Sequence, residues 1–106
     1  MPKPGMQQFI YLFDAVRPEL VTDPGAWTEE DTRIGEAHFA HLKRATEEGT
    51  VILAGRSADG TGPALVSFEA ASEEEARRFM ESDPFVSGGL MRATLHPFRA
   101  ALVRGS

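Results

Sequence analysis

Three histidines and sixteen carboxylates carry most of the acid/base chemistry open to this chain, which has one tyrosine and no cysteine. Without cysteine there is no thiolate nucleophile, no disulfide and no cysteine-based zinc or iron–sulfur site. Of the histidines, His38 is the most informative. It falls in the run Ile34, His38, Leu42, Ala45, whose spacing of four, four and three is that of a helix's buried stripe, where leucine or isoleucine is the expected occupant. An imidazole in such a stripe is either a core side chain satisfied by a carbonyl or carboxylate, or a buried acid/base group.

Asp83, immediately before Pro84, is the candidate partner. Its plain reading is the N-cap of a short turn through Phe85 and Val86, with proline at the first helical position. A second reading follows if the helix that Asp83 ends runs antiparallel to the one carrying His38, because the two side chains then meet. A carboxylate on one ring nitrogen fixes the tautomer and raises the basicity of the other, which is what a general base needs near neutral pH. His41 shares nearly the same helix face as His38 and raises the question of a metal pair. Position 35 is glycine, so no acid completes the usual helix-pair carboxylate pattern and no metal site is expected. His96, before Pro97, reads as a surface or rim residue. Arg56 is either a solvated surface arginine or an anion contact, and Tyr11, Trp27 and Phe85 are candidates for apolar pocket lining.

The elements that must position these residues follow from pattern. Phe9 to Phe13 is a run of aromatic, β-branched and leucine residues that reads as a first strand, and Pro24-Gly25 marks a loop. Thr28 before Glu29-Glu30-Asp31 offers an N-cap and first-turn acids for a helix to about Glu48, with Gly49 as its stop. Val51–Ala54 and Pro63–Phe68 read as strands paired antiparallel across Asp59-Gly60-Thr61-Gly62. Because a strand follows that segment, its glycines are turn formers and not a nucleotide loop. Ser72 with Glu75 forms a capping-box signature for a second helix to about Ser82, and Asp83-Pro84 ends it. Met91–Phe98 supplies the last strand.

This order predicts an α+β, ferredoxin-like βαββαβ domain: an antiparallel sheet with two helices on one face. The 106 residues suit a single domain, with about residues 7–100 structured and 101–106 a tail, either native or a cloning remnant. The first strand is apolar on both alternating sets, Phe9/Tyr11/Phe13 and Ile10/Leu12. Its second face therefore calls for a cover, most simply an identical chain in a homodimer. The net charge of -5 opposes nucleic acid as a partner, and the stacking platform of RNA-binding sheets lacks its basic–aromatic signature. The longest apolar run is far too short to span a bilayer, and the N-terminal residues lack a secretory stretch, so a cytoplasmic protein without membrane partners is expected.

The run Ala37-His38-Phe39-Ala40-His41-Leu42-Lys43, then Glu48 to Gly55, then Ser82-Asp83-Pro84-Phe85-Val86 with Gly89, then His96-Pro97-Phe98, resembles the YCII-related domain family. Arg-Pro, common in that family before the histidine, is replaced by Glu36-Ala37, and Gly-Pro at the strand end by Gly55-Arg56. The resemblance implies a dimeric α/β barrel, His38 and Asp83 as the active-site pair, and Gly55 ending the second strand near it. It also implies proton-transfer chemistry without a cofactor, since one branch resembles dehydrochlorinases of hydroxylated aromatics and related barrels include lactone isomerases. The expectation is a small cofactor-independent lyase or isomerase acting on a small aromatic or lactone substrate. The alternative is a non-enzymatic ligand-binding or interaction dimer in which His38 and Asp83 form a structural hydrogen bond.

Overall fold

A computed structural model describes residues 5–105, so the first four residues of the N-terminal segment and the final Ser106 of the tail lie outside the described residues. Strand β1 is Gln7–Ala15, followed by a short helix α1, Glu19–Thr22, and a single 3-10 turn at Pro24–Ala26. Helix α2 spans Glu29–Glu47, β2 is Val51–Arg56 and β3 is Ala64–Ala70. Helix α3 is Glu73–Ser82, α4 is Pro84–Ser87 and β4 is Met91–Pro97. The four strands form one antiparallel sheet in the order β2-β3-β1-β4. This is an α+β fold compatible with the expected ferredoxin-like topology. No helix among the described residues is long and apolar enough to cross a membrane.

The caps explain where the helices begin and end. Thr28 Oγ1 accepts from the Asp31 backbone N–H at 3.0 Å while Asp31 Oδ2 accepts from the Thr28 N–H at 3.0 Å, a complete capping box. The same Asp31 oxygen takes a 2.6 Å contact from Arg17. The Thr28 backbone donor, followed by Arg17, holds the Asp31 carboxyl below its usual range. The second box is only half formed: Ser72 Oγ accepts from the Glu75 N–H, but Glu75 reaches back to the Ala71 N–H at 3.3 Å. Gly49, at φ 88°, ends α2 in the left-handed conformation that glycine adopts without strain, and Thr50 N–H closes the turn on the Ala45 carbonyl at 2.9 Å.

Between β1 and α2 the chain is more ordered than the expected loop. Leu20 of α1 is buried, and the Trp27 indole N–H donates to the Leu20 carbonyl at 2.8 Å. Four helical residues are too few to show periodicity in a sequence, so a tertiary contact rather than a local pattern defines this segment.

Register divides the sheet into two faces. Phe9 pairs with Phe68 and Tyr11 with Val66. All four are buried beneath α2 and α3, together with Leu42, Ala45, Ala76 and Met80. Ile10, Leu12 and Leu65 point to the opposite face, where they are only half-buried, and Leu53 is 61% exposed. The pairing of β2 with β3 is interrupted: Val51 opposes Phe68 and Leu53 opposes Ser67, leaving Ile52 as the extra residue of a bulge. That one-residue slip moves Ala54 and Arg56 onto the helix-covered face and Leu53 and Gly55 onto the open one.

Candidate active site

His38 sits midway along α2 on the stripe that faces the sheet, with Leu42 and Ala45 buried further along it. Asp83 occupies the junction between α3 and α4, where its backbone ends one helix and its side chain caps the next. The fold brings the two together: His38 Nδ1 lies 2.6 Å from Asp83 Oδ1, with the carboxylate wholly buried and the imidazole 15% exposed. The same Oδ1 accepts the Phe85 backbone N–H at 3.0 Å. The plain reading of Asp83 as a cap and its reading as a histidine partner are both met, by one oxygen.

The second oxygen has its own donor. Tyr11, fully buried in the centre of β1, donates its hydroxyl to Asp83 Oδ2 at 2.7 Å. Three donors from β1, α2 and α4 thus converge on one acceptor-only group and fix it in place. Phe85 then lies flat on the imidazole, with ring centroids 3.7 Å apart and planes 13° from parallel, and Phe13 meets its edge at 5.7 Å. With Nδ1 engaged as donor, Nε2 becomes the free base of the ring. Among the described residues Nε2 has no hydrogen-bond partner, and it is not closed off from solvent, unlike Nε2 of His41, which is buried without one.

His38 forms part of the wall of a cavity of about 910 Å³ between α2 and the β2–β3 side of the sheet. Trp27, Phe85 and Phe13 line it near His38, and Arg56 and Gly55 line it at edge strand β2. The hollow exists because the sheet residues facing the helix there are small. Ala54 opposes Val66, and Ala64 opposes Arg56, which is exposed at the rim, so no large apolar side chain fills this end as Phe9, Phe68 and Met80 fill the other. Gly35, one turn before His38, lets the Trp27 ring approach α2, since a Cβ there would stand 3.2 Å from the indole. At Gly55 nothing lies within 4 Å of such a Cβ, so no close backbone approach demands glycine.

Of the residues expected to line a pocket, Trp27 and Phe85 do so, whereas Tyr11 lies beneath the cavity and supports Asp83. A signal for that role was present: the chain's one tyrosine occupies the core row between Phe9 and Phe13, a polar mismatch of the same kind as His38. His41 turns away from His38 and packs on Phe79, with centroids 5.4 Å apart. Among the described residues no group of three or more histidine, cysteine, aspartate or glutamate side chains is placed to hold a metal ion. His96 is exposed on the open face of β4, opposite Ile10.

Burial, then the Asp83 charge, then the hydrogen bond to it push the Tyr11 phenol far above its ordinary value of about 10. A raised folded value means that stability is complete below about pH 10 and is lost as pH rises beyond it, because the unfolded chain ionises first. With a single tyrosine in the chain, phenolate absorbance reads this group alone. It is expected to appear together with the loss of circular dichroism, as one alkaline unfolding transition; phenolate forming while the fold stays intact would contradict the buried Tyr11–Asp83 bond.

Comparison with known proteins agrees with this geometry at the level of the fold. The model of the YCII-related domain matches residues 15–99. The chain belongs to the YCII-related domain family. Among solved structures, this YCII-related chain is similar to 5-chloro-2-hydroxyhydroquinone dehydrochlorinase from Burkholderia phenoliruptrix AC1100, determined in complex with 2,5-dihydroxybenzoquinone. The TM-score is 0.63 at 20% sequence identity, covering 87% of this chain and 93% of that one. At that identity the likeness concerns the fold. A search of curated protein sequences found no match.

Proposed function

We propose that this YCII-related domain is a small acid/base enzyme of lyase or isomerase type, needing no cofactor, in which His38 moves a proton and Asp83 orients it. The observation that carries the reading is the 2.6 Å contact of His38 Nδ1 with a wholly buried carboxylate, which leaves Nε2, without a partner among the described residues, as the base of a cavity-lining imidazole. Nε2 takes a proton from a substrate carbon or hydroxyl, and Asp83 stabilises the imidazolium that forms. The proton then returns at a neighbouring atom in an isomerisation, or a leaving group departs with its bonding electrons in an elimination. A positioned base of this kind contributes roughly 10²–10⁴-fold to rate. Small hydroxylated aromatics, including chlorinated ones, and lactones are the substrate classes that family and fold suggest.

The test is a screen of chlorinated hydroxyhydroquinones and small lactones, followed by chloride release, ring opening or deuterium uptake from heavy water. Turnover by the unaltered protein that vanishes in His38→Gln is expected. Unchanged turnover in that variant would remove His38 from the chemistry. The rival reading, a ligand-binding dimer with a structural His38–Asp83 bond, draws support from the use of Asp83 as the cap of α4.

The reading includes a homodimeric α/β barrel closed through the open sheet face. Ile10, Leu12, Leu53 and Leu65 form an apolar centre there, beside Ser67, Thr94 and His96. Two twisted sheets stacked on these faces bury the surface that helices cannot reach. Sedimentation of the unaltered protein is expected to give two chains per particle, and Leu12→Glu to give one, because a carboxylate without a partner is costly in a dry interface. A monomeric unaltered protein would end this part of the reading.

A further inference from the structure

The bulge at Ile52 has a chemical result. Strict alternation from Val51 would turn Arg56 to the open face; the extra residue turns it to the helix-covered face, opposite Ala64. One step beyond the Leu12–Leu65 pair, Ala64 lies level with Phe13, so Arg56, Ala64 and Phe13 form one row across the sheet. Two strand spacings separate the backbone of Arg56 from that of Phe13, roughly 10 Å, and the Phe13 ring stands 5.7 Å from His38. Between the two ends the floor is Ala54 and Ala64, low enough to admit a flat molecule.

Arg56 lines the cavity and, among the described residues, makes no hydrogen bond or ion pair. Arg17, Arg33 and Arg78 are each held by a carboxylate; of the arginines without such a partner among the described residues, Arg56 is the one that lines this cavity. The other cation of the cavity wall, Lys43, already faces Glu47 at 3.4 Å. Arg56 is exposed at the end of β2 and stands as an unpaired guanidinium at the mouth of a largely apolar cavity, where a planar fork of donors suits a carboxylate or a similar oxyanion.

Resting on the reading of His38 as the acid/base group, we propose that the site takes a one-ring organic anion, its negative group bound by Arg56 and its ring lying over Ala54 and Ala64 with the reacting edge toward His38 Nε2. Arg56 is then the residue that selects charge, and the aromatic wall of Trp27, Phe13 and Phe85 selects shape.

Benzoate and its neutral analogue benzamide separate these contributions. In a nitrogen-15 NMR titration, benzoate is expected to bind saturably, shifting the Arg56 side-chain and Trp27 indole signals, and to bind at least tenfold more tightly than benzamide. Arg56→Gln should abolish that preference, Arg56→Lys should keep part of it, and His38→Gln should leave it in place. Equal binding of the two probes, unchanged benzoate affinity in Arg56→Gln, or no saturable benzoate binding would each overturn the assignment. The proton-transfer role of His38 is judged separately, by turnover in His38→Gln, so either reading can fall without the other.

Discussion

His38→Asn is expected to fold with nearly unaltered stability and to lose about a hundredfold or more of its turnover. An asparagine amide reaches the position of Nδ1, so it can still donate to Asp83 Oδ1 and keep the buried carboxylate satisfied. It has no atom at the position of Nε2. His38→Gln is the complementary change, placing an amide near Nε2 and losing the donor to Asp83. A hydrogen bond to a charged group contributes about 1.5–3 kcal/mol, so Gln is expected to be the less stable of the two. The proposed base accounts for roughly 10²–10⁴ in rate, and both variants are expected to be inactive. Melting temperature and turnover of the substrate that the screen identifies, measured on both, separate the two roles of the ring. An asparagine variant that retains activity would place the catalytic group elsewhere, whatever its stability.

The candidate pair was legible in the sequence because each residue breaks a local rule. His38 is polar in an apolar helical stripe, and Asp83 precedes a proline at a helix boundary. Topology then supplied their meeting, since antiparallel helices on one sheet face bring the end of α3 beside the middle of α2. The polar mismatch at Tyr11 is weaker than that at His38, because in a strand rich in aromatic residues a phenol ring also fits as simple packing, and its hydroxyl points to no partner until the fold places Asp83 beside it. Helix α1 was hidden by its length. The cavity was hidden for a different reason, because it depends on which face Ala54 and Arg56 occupy, and that is set by a one-residue bulge invisible to a pattern of period two. Residue type pointed to the candidate pair, whereas the space around it arises from register.

The second large effect concerns the charge of Asp83, which two substitutions separate from its hydrogen bonds. Asp83→Ala strips the acceptor from Tyr11 Oη, His38 Nδ1 and the Phe85 N–H at once, at a carboxylate with no exposure to water. Stranding buried donors and losing a helix cap together are expected to cost about 3–5 kcal/mol, a large part of the stability of a domain this size. Asp83→Asn keeps the geometry. Its carbonyl can occupy the place of Oδ1 and accept from both Phe85 and His38, so the histidine tautomer is retained, while its amide faces the Tyr11 hydroxyl, which must turn to accept. The cost is one phenolic proton without a partner, about 1–2 kcal/mol, far below that of alanine. What the variant lacks is the negative charge beside the imidazolium. At an effective dielectric near 20, two unit charges about 4 Å apart interact by about 4 kcal/mol, so losing even two-thirds of this is expected to slow proton transfer roughly a hundredfold. A folded, near-normally stable Asp83→Asn protein with turnover reduced to that extent is the expected result. Full activity would show that Asp83 serves the fold alone, as cap and hydrogen-bond hub, and that His38 acts without it.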